Sequence, residues 1–140
     1  MFKQLTPAVA VSPQIEVADV ATAAAQGFVC IVNNRPDGES PDQPAGDAIR
    51  AAAEAAGLRY VAIPVDARGF SQPMVAAMVD ALAAGKTLAF CRSGTRSTNL
   101  WSLASASQGG SIAEITATAA AAGYDVSGLA GAMAQLGGKA

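Results

Sequence analysis

Short apolar runs alternate with longer stretches in which apolar residues recur at helical spacing, and glycines punctuate the changeovers. Ala8 to Val11 reads as a strand ending at Ser12-Pro13. Ile15 to Gln26 follows as a helix with Val17, Val20, Ala21 and Ala24 on one face, stopped by Gly27. Phe28 to Val32 is a continuous apolar run, the signature of a buried strand. After the polar loop 33–41, rich in turn residues, an alanine-rich helix spans Asp47 to Ala56 and closes at Gly57. Arg59 to Pro64 is the next strand, and 65–70 a loop. Ser71 and Pro73 start a helix carrying Met74, Val75, Met78, Val79 and Leu82, which Gly85 ends. The run Thr87-Leu88-Ala89-Phe90 is a strand leading into Cys91.

Three helices are expected beyond it: from about Ser97 to Ser107, from the capping-box spacing of Ser111 and Glu114, and after Asp125 with Leu129, Met133 and Leu136. Strand and helix alternate, so the expected architecture is α/β, a mostly parallel sheet of four to five strands with helices on both faces. The chain reads as one domain, 1–140, with the helices of about 111–137 packed onto it. Ligands of such sheets sit at the carboxyl ends of the strands. The loops 33–41, 65–71 and 91–97 all leave such ends.

The segment Cys91-Arg92-Ser93-Gly94-Thr95-Arg96-Ser97 carries the chemistry. A strand delivers a cysteine into a loop that turns straight into a helix. The free first-turn amides and the helix dipole favour a thiolate and an oxyanion there. Gly94 lets the backbone curl, and Arg96 supplies a planar two-point grip. Cys91 is the expected nucleophile. Arg92, Ser93, Gly94, Thr95 and Ser97 are the expected anion ligands, with Thr95 and Ser97 also suited to capping the helix.

Composition narrows the options. The chain has 140 residues, 51% apolar and 14% charged, with a net charge of −2, which gives no electrostatic case for nucleic acid or for an anionic membrane. A small anionic substrate is the better expectation. Histidine is absent, so Ser-His-Asp triads, Cys-His dyads and histidine-ligated metals are excluded. Cys30 lies in an apolar strand and reads as an inert core residue, and Cys91 belongs to the loop, so no disulfide is expected. A reduced, cytoplasmic protein fits, and the first residues lack the apolar stretch of a signal peptide.

Four stretches together resemble a small bacterial phosphatase-like domain family. These are Ser12-Pro13-Gln14, Asn33 to Glu39, Gly57-Leu58-Arg59-Tyr60 with Ile63-Pro64-Val65, and Cys91 to Ser97. Members of that family occur alone or fused to a metallo-β-lactamase-type hydrolase, and carry tyrosine-phosphatase-like or sulfur-transferase labels. The resemblance covers about residues 8–110. It implies the compact fold of the dual-specificity phosphatases and suggests a metallo-β-lactamase-type hydrolase as partner; no cofactor is expected, and with no histidine and only two cysteines no metal is expected either.

Two departures bear on the reaction. Tyrosine phosphatases place five residues between cysteine and arginine, and here Arg92 to Thr95 make four. Their histidine before the cysteine is Phe90 here. The shorter loop resembles that of rhodanese-type sulfurtransferases. Sulfur transfer from thiosulfate or a persulfide, through a Cys91 persulfide, is therefore the leading expectation. The alternative is phosphoester hydrolysis through a Cys91 thiophosphate. In that scheme Arg96 steadies the transition state, Ser97 assists phosphate release, and Asp66 is the general acid with Asp37 in reserve. A non-catalytic oxyanion-binding module is the third reading. Arg35 and Asp37 are expected to brace their loop by pairing with each other.

Overall fold

A computed structural model describes residues 2–140. Five strands form one sheet in the order β1-β2-β5-β3-β4: β1 (Lys3–Thr6), β2 (Val9–Ser12), β3 (Cys30–Asn33), β4 (Arg59–Ala62) and β5 (Thr87–Phe90). β2, β5, β3 and β4 run parallel. β1 is antiparallel to β2 across an irregular register. The mostly parallel sheet is as expected, with β1 as an addition. Its polar Lys-Gln-Leu-Thr sequence carries no strand pattern because an edge strand leaves one side to solvent.

Alternation along the strands sorts the core into two layers. Val9, Val11, Cys30, Val32 and Ala89 point into one, and Ala10, Ile31, Leu88 and Phe90 into the other. The second layer is covered by α1 (Val17–Ala25) and α2 (Gly46–Ala55), through Val20, Ala23, Ile49 and Ala53. The first is covered by α3 (Gln72–Leu82) and α4 (Thr95–Ser107). Against α4 pack α5 (Ile112–Ala121) and α6 (Ala130–Gln135), the latter led in by a 3-10 turn (Ser127–Leu129). α4 is buried nearly all round, with Leu100, Trp101, Leu103, Ala104 and Ala106 in the core, as a helix between a sheet and other helices must be. Burying Leu100 alone contributes roughly 1.5–3 kcal/mol.

Three expectations need correction. Val17 is 48% exposed and Ala21 is exposed, while Ala23 is buried, so α1 is rotated from the expected face. Alanine marks both faces of a helix equally, which leaves the rotation undetermined by hydrophobic spacing. Thr95 does not cap α4. The N-cap is Gly94, in the left-handed conformation at φ 93°. Arg35 and Asp37 do not pair. Asp37 Oδ1 instead accepts the Gly46 N–H at 2.8 Å, closing the loop onto the start of α2. The capping of α5 is as expected, with Ser111 Oγ accepting the Glu114 N–H at 3.2 Å.

Candidate active site

The loop after β5 is anchored at its root. Cys91 N–H donates to Ser12 O (3.3 Å), and Gln14 N–H donates to Arg92 O (3.2 Å), so the last residue of β2 and the chain just after it grip both residues. Gly94 then turns into α4 with a positive φ that only glycine adopts freely. Its carbonyl accepts from the Thr98 N–H (3.0 Å) and the Thr98 hydroxyl (2.8 Å). Its N–H points inward and donates to Cys91 Sγ at 3.1 Å. Cys91 is completely buried, with Arg92, Ser93 and Thr95 exposed around it. Ser93 Oγ donates to Thr95 Oγ1 (3.0 Å) on the outer side of the loop.

Arg96, in the first turn of α4, is held by a residue far away in sequence. Its Nη1 donates to Glu39 Oε2 (2.7 Å) and to the Val65 carbonyl (2.8 Å), and its Nη2 donates to Glu39 Oε1 (2.9 Å). A guanidinium has five N–H donors, and these bonds leave the Nε–H and one Nη2 hydrogen. That edge carries two parallel donors, the fork that an oxyanion accepts. Besides Glu39, Cys91 is the group this side chain senses, and both favour its charged form. Glu39 also accepts from Arg35 Nε (2.9 Å), whose other donors reach Gln14 Oε1 and Ser40 Oγ. The Arg96 bonds first, then those of Arg35, hold the Glu39 carboxyl down at about 2.

Beneath the loop, Asn34 is fixed by its Nδ2, which donates to Ile63 O at 2.9 Å. Its Oδ1 therefore faces Ser97 and accepts the Ser97 hydroxyl at 2.8 Å. Both residues are fully buried. The one hydroxyl proton of Ser97 is thus committed to Asn34, while its backbone N–H stays in the free first turn of α4. Above the loop, Tyr124 Oη donates to Ser93 O at 2.9 Å.

Asp66 stands next to Val65, the residue whose carbonyl holds Arg96, but its side chain faces outward. Arg68 clasps it through Nη2 (2.8 Å) and Nε, and this ion pair pulls its carboxyl below the usual range. Sequence reasoning missed Asn34, Glu39 and Tyr124 as parts of the site. The convergence of strand-end loops pointed at the first two, and nothing local pointed at Tyr124. The groove of about 330 Å3 between α3 and α6, lined by Phe70, Val75, Leu103, Leu129 and Leu136, contains no residue of the cysteine loop.

Among the described residues no group of three or more His, Cys, Asp or Glu side chains lies together as a metal site. No helix there is long and apolar enough to cross a membrane. Cys30 is buried in β3, opposite Thr87 in the register, and burial pushes its thiol up.

A cysteine loop at the carboxyl end of a central parallel strand, with its arginine in the first turn of the next helix, is set in a tyrosine-phosphatase-like fold. The chain belongs to the family described as beta-lactamase hydrolase-like protein, phosphatase-like domain, which it matches over residues 1–108. A beta-lactamase hydrolase-like protein of Agrobacterium fabrum is 40% identical over 107 residues, 71% of this chain and 23% of that protein. The chain thus spans under a quarter of that relative's length. A crystal structure of a candidate phosphatase from Neisseria meningitidis is 31% identical, with a TM-score of 0.80 over 95% of this chain and 96% of that one. PTPMT1 shares the fold at a TM-score of 0.74 and 12% identity, over 97% and 96% of the two chains. The phosphatase names of the family and of the Neisseria structure support the phosphoester alternative better than the leading expectation of sulfur transfer.

Proposed function

We propose that the chain hydrolyses phosphoesters of small anionic substrates by a two-step mechanism on Cys91. The observation that carries this reading is Arg96, clamped by Glu39 and Val65 O with its Nε–H and one Nη2 hydrogen left over on the side that reaches Cys91. It offers two donors to equatorial phosphoryl oxygens, while the Gly94 N–H steadies the sulfur. Arg92, Ser93, Thr95 and Ser97 complete the cradle chiefly through backbone amides, and the Arg92 side chain draws in the anion. The reaction unit is the whole of 1–140. Cys91 must stay reduced to act, so we place the protein in a reducing compartment such as the cytoplasm. The partner we propose is a β-lactamase-type hydrolase, on the name and length of the relatives.

In the first step the Cys91 thiolate attacks phosphorus, forming the S–P bond as the P–O bond to the leaving group breaks. Asp66 protonates the departing oxygen. In the second, water attacks phosphorus, its proton passes to Asp66, and the S–P bond breaks to release phosphate and the thiolate. Asp66 reaches this role by leaving the clasp of Arg68. Ser97 supports the site through Asn34, because its hydroxyl proton is already donated there.

Sulfur transfer keeps one feature in its favour, the four-residue spacing between Cys91 and Arg96. A paired assay separates the two: phenolate release from an aryl phosphate, and thiocyanate formation from thiosulfate and cyanide, each with Cys91→Ser as control. Cys91-dependent phenolate release without thiocyanate is expected. Cys91-dependent thiocyanate without phenolate release overturns the proposal.

A further inference from the structure

Tyr124 and Cys91 touch the same peptide group from opposite sides. The Ser93 carbonyl oxygen accepts the Tyr124 hydroxyl at 2.9 Å, and the Gly94 N–H donates to Cys91 Sγ at 3.1 Å. The C=O of Ser93 and the N–H of Gly94 belong to one planar trans peptide, in which the two bonds point in opposite directions. Holding the oxygen outward therefore holds the N–H inward. Gly94 has φ 93°, a conformation in which a glycine peptide turns over easily unless something pins it. Nothing else in the described residues bonds that carbonyl.

We infer that Tyr124 is a positioning residue, which locks the Ser93–Gly94 peptide with its N–H aimed at the nucleophilic sulfur. A four-residue loop has few amides to spend on the anion, so the orientation of each one counts. Tyr124 follows α5, beyond the residues 1–108 that match the family. The C-terminal segment thereby contributes to the site itself. The inference rests on Cys91 being the nucleophile, and not on which substrate it attacks.

The surroundings suit the role. Tyr124 is 9% exposed. Burial first, then the neighbouring Cys91, push its ionisation upward, so the hydroxyl keeps its proton and remains a donor at neutral pH. Lys3 of β1 lies over its ring at 4.9 Å from the centroid. A Cβ at Gly94 would run into Tyr124 Oη and come within 2.9 Å of its Cζ, so the hydroxyl sits flush against the peptide. Arg96 from α4 and Tyr124 itself are both ionisable groups close enough to feel the charge of the sulfur.

The test is Tyr124→Phe, which keeps the ring beneath Lys3 and removes only the donor. Thiolate is read by its ultraviolet absorbance across pH, as the difference between each protein and its Cys91→Ser counterpart. This readout needs neither substrate nor access to the sulfur. At the pH where the wild type gives half its full signal, the variant is expected to give about a half to a fifth of the wild-type value. The two signals are expected to converge at high pH. Lys3→Met, which leaves the hydroxyl in place, is expected to follow the wild type, and melting temperatures check that all variants are folded. Equal thiolate in Tyr124→Phe and wild type at every pH overturns the inference, as does an equal loss in Lys3→Met. Failure of the phosphatase proposal would show as absent phenolate release with this thiolate difference intact.

Discussion

Replacing Glu39 by glutamine tests the ion-pair cluster that holds Arg96. The carboxyl of Glu39 drops from the usual 4.5 to about 2 on folding. At about 1.4 kcal/mol per unit that corresponds to roughly 3–4 kcal/mol before screening. The Glu39 side chain is 28% exposed, so about half of this survives as stability. Removing the charge also strands Arg35, whose side chain is only 4% exposed, which adds to the cost. About 2–3 kcal/mol of destabilisation is expected at pH 7, a fall in melting temperature of roughly 6–12 °C for a chain of this size.

The pH dependence makes the argument specific. A carboxyl depressed on folding stabilises fully above its unfolded value and loses that contribution as pH falls toward the folded one. The gap between wild type and Glu39→Gln is therefore widest above about pH 5 and shrinks by more than half near pH 3. Thermal unfolding followed by circular dichroism at both pH values reads it directly. Melting temperatures within a degree or two at pH 7, or a gap of equal size at pH 3, would refute the reasoning.

Asp66→Asn is expected to slow hydrolysis of an alkyl phosphate by about 10²–10³ and of a p-nitrophenyl ester far less, because a good leaving group needs no proton. Equal losses on both esters would remove Asp66 from the role of acid. Arg68→Gln frees the Asp66 carboxyl to rise toward its ordinary value, so the alkaline limb of kcat/KM, which reports the free enzyme, is expected to move to higher pH; an unmoved limb contradicts the clasp. Gly94→Ala forces a side chain into a positive φ and against Tyr124. A cost of about 1–3 kcal/mol in urea melts and near-complete loss of turnover are expected, and an active, equally stable variant would contradict the loop geometry.

The sequence made the loop legible because its signal is local. A strand, a cysteine, a glycine and an arginine follow one another within ten residues, and each constrains the next. Glu39 was visible only as one acid in a polar loop. Its partner Arg96 lies 57 residues away, and long-range pairing of this kind leaves no periodic trace. Arg35 turned to Glu39, one helical turn's spacing along, and Asp37 turned to a backbone amide, because the loop closes onto α2. Tyr124 was hidden for the same reason: its role depends on how α5 docks against α4. The alanine-rich α1 concealed its inner face, and β1 was concealed by being a polar edge.

Acid-quenched mixing of the protein with an aryl phosphate, followed by mass analysis of the peptide containing Cys91, tests the central claim most directly. The account predicts an adduct of one phosphoryl group on Cys91, absent from Cys91→Ser, which also releases no phenolate. A sulfur adduct on Cys91 with thiosulfate and no phosphoryl adduct would contradict it, as would phosphatase turnover that survives in Cys91→Ser.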